Sequence, residues 1–115
     1  MSKSGPSEQE LRLAANQYSS DLKQLAGKIG ELESELTEHH LVIETIGKVP
    51  TTRKCFRLVN GVLIERTVAE VLPALKTNEE GIKSTIKQLT EQYKSKDKEF
   101  MEFQQKNHIR IASTS

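Results

Sequence analysis

Between Leu11 and Ile46 the apolar residues hold a 3-4 alternation without a slip. With Ala15, Leu22, Ile29, Leu36 and Ile43 at heptad position a, residues Leu11, Tyr18, Leu25, Leu32, His39 and Ile46 fall at d. That is the pattern of a long helix whose single apolar seam faces a partner helix. Gly27 and Gly30 fall at f and b, away from the seam, so they weaken the helix by about 1 kcal/mol each without shifting its register. Gly47 and Pro50 mark its end.

A second heptad tract follows. Its seam reads Leu72, Leu75, Glu79, Ile82, Ile86, Leu89, Tyr93, Lys96, Phe100, Phe103 and Asn107, with Glu79, Lys96 and Asn107 as polar interruptions. Thr67 and Glu70 have the spacing of a capping box. Pro73 disfavours a helix interior, so the reading is a helix over 68–108 with a break near 72–73: a short turn at 68–71, then a long helix. The tracts at 11–47 and 72–108 are equally long, each roughly 55 Å as a helix. The fold class expected is mainly α: a long antiparallel two-helix coiled coil, with both chain ends at the tip away from the connection. Composition agrees. Apolar residues make up 35% and charged residues 29%, and Trp is absent, which is lean for a rounded globule.

The connection is written differently. "KCFRLVNGVLIER", residues 54–66, crowds β-branched and aromatic residues around Asn60-Gly61, the strongest short signal for a two-residue type I′ hairpin turn. That turn sets Val59 opposite Val62, Leu58 opposite Leu63 and Arg57 opposite Ile64, in a hairpin over 53–66. One face then carries Phe56, Leu58 and Leu63. The other carries Cys55, Val59, Val62 and Ile64 with Arg57 and Arg66. Fully burying seven apolar side chains contributes roughly 10–20 kcal/mol, while ordering about a dozen residues costs roughly 12–24 kcal/mol. Burial must be almost complete, and one hairpin on one coiled coil cannot cover both of its faces or its two edges. The segment is written for strands supplied by other chains.

Several features point to chemistry less well than to structure. His39 and His40 are adjacent and project about 100° apart on a helix, so they do not chelate one metal as an i, i+4 pair does. Cys55, the only cysteine, reads as a small buried strand residue rather than a nucleophile, and its solitude fits a reducing cytosol. "KSKDKE" at 94–99 reads as a solvated helix face. Glu31, Glu33, Glu35 and Glu38 lack a pocket or partner base and read as the outside of a helix. No phosphate-binding loop or catalytic motif is present, so neither an enzyme nor a bound cofactor is expected. The net charge of +1 gives no general pull toward nucleic acid or anionic membrane. No apolar run approaches the roughly 18–20 residues that span a bilayer, and "MSKSGPSEQE" lacks the apolar core of a signal peptide. Leu13, Met101, Ile109 and Ile111 lie off the regular seam near the helix ends, where apolar residues call for something to contact them.

The stretches "ELESELTEHHLVIETI", "TRKCFRLVNGVLIERTVAEVLPAL" and the helix end "FQQKNHIRI" together resemble the β-type prefoldin subunit family, over roughly residues 10–111, with 1–9 and 112–115 expected to be flexible. The middle stretch is the specific part of the resemblance. It implies a hetero-hexamer of two α-type and four β-type subunits, in which each β-type hairpin joins a shared double β-barrel. The hairpin residues Phe56, Leu58, Val59, Asn60, Gly61, Val62, Leu63 and Ile64 are then assembly residues. It further implies cytoplasmic, ATP-independent holding of unfolded polypeptides, notably actin and tubulin, and their delivery to the cytosolic chaperonin. Leu11, Leu13, Tyr18, Phe100, Met101, Phe103 and Ile109 are the candidate client contacts on the distal ends. The alternative is a structural coiled-coil adaptor or tether, which does not need a hairpin.

Overall fold

In the computed structural model, which describes residues 5–109, helix α1 (Glu8–Ile46) begins on a complete capping box. The Ser7 amide donates to Glu10 Oε1 at 2.8 Å, and the Glu10 amide donates to Ser7 Oγ at 3.1 Å. Two of the orphan donors of the first turn are satisfied reciprocally, and the helix starts earlier than the apolar seam alone predicts. After Gly47, whose amide still donates to Ile43 O, a turn closed by Arg53 N–H to Pro50 O at 3.0 Å leads into the hairpin. Strands β1 (Lys54–Val59) and β2 (Val62–Thr67) form a two-stranded antiparallel sheet, and helix α2 (Val68–Lys106) follows β2 directly. Both helices contribute to two compact units, one built, among the described residues, from 5–29 and 88–109, the other from residues 30–87. Of the tails expected at 1–9 and 112–115, residues 1–4 and 112–115 lie outside the described residues, as do 110 and 111, whereas residues 8 and 9 belong to α1.

In the first unit the heptad seams meet. Ala15 is buried, and the Tyr18 ring stacks on Phe100 with centroids 5.2 Å apart and tilts against Phe103 at 5.3 Å. Offset and tilted aromatic pairs at this separation add to simple area burial. The polar interruption Lys96 is accommodated here: its Nζ lies 5.6 Å from the centre of the Tyr18 ring and 3.8 Å from Asp21 Oδ2. The stem covers the seam while the ammonium reaches a carboxylate. Asn107 turns its Nδ2 back onto the Phe103 carbonyl at 2.9 Å. Helix α2 then closes in a Schellman motif, with the Ile109 amide on Gln104 O, the His108 amide on Gln105 O, and His108 at a φ of 55°.

In the second unit Val68, with 1% of its surface exposed, is the most deeply buried residue, and Leu32 is buried on α1. The first two amides of α2 leave the helix for partners far back in sequence: Val68 N–H donates to Arg53 O at 2.9 Å, and Ala69 N–H to Thr51 O at 3.0 Å. Glu70 Oε1 accepts from both the amide and the hydroxyl of Thr67. This anchoring corrects the expected break near 72–73, because α2 runs through Pro73 as one helix. Pro73 sits in the second turn, where its missing N–H removes one bond, to the Ala69 carbonyl. A first turn held from outside tolerates that loss.

Candidate functional site

The hairpin adopts the register its turn dictates. Val59 pairs with Val62, Leu58 with Leu63, Arg57 with Ile64 and Phe56 with Glu65. Asn60 and Gly61 have φ of 50° and 80°, both in the region a type I′ turn requires, which Asn and Gly enter at low cost. Strict alternation then sorts the side chains onto two faces.

The first face lies open. Phe56, Leu58 and Leu63 are 59%, 70% and 64% exposed, beside a Lys54–Glu65 pair at 3.8 Å. The second face forms a wall of a recess of about 600 Å³. Val42 and Ile46 of α1 and Val71 and Leu75 of α2 line the recess opposite Cys55, Val59 and Ile64 of the hairpin. Cys55 and Ile64 are half-buried there. Among the described residues the sheet has two strands only, so the outward backbone groups of each strand have no ladder partner. The eight expected assembly residues thus share one element with two apolar faces and two open edges. Leu41 and Val42 extend the exposed apolar surface onto α1. Sequence reasoning missed them, although both fall outside the seam at f and g.

The seven distal candidates lie in the first unit and divide by surroundings. Tyr18, Phe100 and Phe103 form the aromatic cluster of the seam. Leu11 and Ile109 line a shallow recess of about 340 Å³ with Glu8, Arg12, Ala15 and Asn16, so Ile109, folded back by the Schellman turn, covers the α1 surface. Leu13 and Met101 make up the outward-facing part of the set and are exposed.

The electrostatics are those of helix starts rather than of a reaction centre. Glu10 is held below the ordinary carboxylate value of 4.5 by the Ser7 amide and then the Ser7 hydroxyl. The Thr67 amide and hydroxyl do the same for Glu70, with the charge of Arg66 adding to the effect. Among the described residues no group of three His, Cys, Asp or Glu side chains is placed to hold a metal ion. No described helix is long and apolar enough to cross a membrane. What the surfaces can do is bind apolar segments.

Comparison with known proteins agrees with this geometry. The profile of a family described as prefoldin subunit matches residues 9–114. The chain is similar to prefoldin subunit 2 of Homo sapiens, 52% identical over 96 residues that span 84% of this chain and 62% of that protein. It is also similar to the probable prefoldin subunit 2 of Schizosaccharomyces pombe, 45% identical over 92% of this chain and 94% of that one. The matched region therefore spans less than two thirds of the mammalian relatives' length. The fold resembles the crystal structure of the prefoldin beta subunit from Thermococcus strain KS-1, with a TM-score of 0.78 over 97% of this chain and 100% of that chain at 18% identity.

Proposed function

Because this chain belongs to the prefoldin subunit family, we propose that it works as a β-type subunit of an ATP-independent chaperone. In this reading its hairpin assembles with those of other prefoldin subunits in a shared β-barrel of a hetero-hexamer of two α-type and four β-type subunits. The observation that carries the reading is the hairpin itself. Apolar side chains make up half of the first face and most of the second, and both edges are open. A monomer gains nothing from such an element and risks aggregation through it. A bare tether of two helices has no use for it.

In the same reading the subunit acts by binding, without catalysis or nucleotide. It holds unfolded polypeptide in the cytoplasm, with actin and tubulin as clients and the cytosolic chaperonin as recipient. A client released without ATP is held weakly at each contact, and several subunits engaging one chain supply the avidity. The contact surface is apolar and adaptable. Leu13 and Met101 fit that need, since they are exposed and a thioether adapts to many shapes. The packed aromatics Tyr18, Phe100 and Phe103 serve by holding the helices on which Leu13 and Met101 stand.

The test is suppression of denatured actin aggregation by hexamers carrying Leu13→Ser with Met101→Ser in this subunit. Assembly should be intact, while suppression and client crosslinking to this subunit fall. Unchanged suppression with unchanged crosslinking places client contact elsewhere.

A further inference from the structure

The second face of the hairpin carries a charge that the fold leaves unanswered. Arg57 stands on the recess wall among Cys55, Val59 and Ile64, and among the described residues its guanidinium has no hydrogen bond or ion pair. Its diagonal neighbour on β2 is Arg66, two residues past the Ile64 that faces Arg57. Arg66 Nη1 donates to the Glu65 carbonyl at 3.0 Å. The one carboxylate lining the recess, Glu70, is committed through Oε1 to the amide and hydroxyl of Thr67. Two guanidinium groups therefore share an apolar wall with no carboxylate in ion-pair contact with either.

Covering that wall has a condition. An arginine sealed against apolar side chains without a partner is strongly unfavourable, whereas a carboxylate supplied from outside meets the guanidinium fork in two parallel hydrogen bonds. A second copy of this chain would bring the same two arginines and meet repulsion. The open edges add a shape requirement, because a strand paired to an edge directs every second side chain to the face that borders the recess.

We infer that the recess receives an extended segment of a different prefoldin subunit, one with a carboxylate set between apolar side chains, and that Arg57 recognises that carboxylate. This inference rests on the shared-hairpin reading above. Arg57 contributes selectivity more than strength: it rejects neutral and basic strands that would leave it unpaired, and it rejects self-pairing.

The experiment co-expresses the chain with the full set of prefoldin subunits and measures how much of it enters the purified hexamer. The chain is compared as wild type, Arg57→Glu, Arg57→Lys and Leu63→Asp, with helical content of each variant checked by circular dichroism. Leu63 lies on the first face, away from Arg57, and reports the shared-hairpin reading alone. Under the inference, Arg57→Glu lowers incorporation roughly tenfold or more, because two carboxylates then meet in a covered site. Arg57→Lys keeps the charge but loses the fork, so its incorporation falls between wild type and Arg57→Glu, and Leu63→Asp is excluded. If Leu63→Asp is excluded while Arg57→Glu enters at the wild-type level, the inference is wrong and the hairpin reading stands. Equal losses for Arg57→Glu and Arg57→Lys also overturn it, since charge is then not what the partner reads. Wild-type entry of Leu63→Asp removes the hairpin reading and this inference with it.

Discussion

His40 Nδ1 on α1 lies 3.3 Å from Glu79 Oε2 on α2, joining the two helices within the unit that carries the hairpin. His40 Nε2 also reaches Glu44 Oε1 at 3.1 Å. Glu79 occupies a seam position that the heptad assigns to an apolar residue, and its side chain is 13% exposed. The cross-helix contact answers why an acid is tolerated there: the carboxylate finds a partner at the edge of the seam. Polar seam residues of this kind fix register at a cost in stability. Replacing Glu79 with Leu should therefore raise the thermal midpoint of the helical signal, by the equivalent of about 1 kcal/mol of apolar burial. A lowered midpoint would mean that the His40 contact outweighs seam packing.

The turn offers a test of backbone conformation free of steric confusion. Gly61 has a φ of 80°, and a Cβ built on it meets nothing within 4 Å. Gly61→Val should still destabilise the hairpin by about 1–2 kcal/mol, because a β-branched residue resists positive φ. Gly61→Asn should cost much less, since Asn tolerates that region. Incorporation into the proposed assembly with other prefoldin subunits is the readout, and equal behaviour of the two variants would rule out φ as the cause.

At the other end of the chain, His108 occupies the left-handed position of the Schellman turn. Glycine takes that conformation without a Cβ penalty. His108→Gly should stabilise the end of α2 by about 1 kcal/mol and slow hydrogen exchange of the Ile109 amide. Faster exchange would show that the His108 side chain itself holds the turn.

Acid should loosen α1 from its start. The Ser7 amide, and then the Ser7 hydroxyl, hold Glu10 below the ordinary value of 4.5. A carboxylate depressed in the folded state contributes stability that is fully present above its unfolded pKa and is lost as pH falls through its folded pKa. Exchange protection of the Ser7 amide should therefore be constant above the ordinary carboxylate range and decline as pH drops below 4.5. In Glu10→Gln that decline should vanish. A decline that persists in Glu10→Gln would assign it to another group.

What the sequence determined by itself was whatever depends on spacing along the chain. Every expected seam residue, from Leu11 to Ile46 and from Leu72 to Asn107, is half-buried or buried, because a 3.6-residue period fixes which side chains share a helix face. The hairpin register followed from Asn60-Gly61 and a period of two, which is why Leu58 meets Leu63. The capping box of Ser7 and Glu10 is equally local, with the same spacing as Thr67 and Glu70, but the apolar seam alone put the start of the helix later than the structure does. Tertiary structure decided the rest, since it depends on which distant groups meet. Helix α2 starts before Pro73 because Thr51 and Arg53 present carbonyls to its first amides. Glu79 and Lys96 sit on the seam because His40 and Asp21 stand across from them. Arg57 was visible as a basic residue in an apolar strand, but only the folded chain leaves its guanidinium beside a recess whose one carboxylate, Glu70, is bonded to Thr67 instead. Periodicity is written residue by residue, whereas the partner of a hydrogen bond or a charge is chosen by the fold.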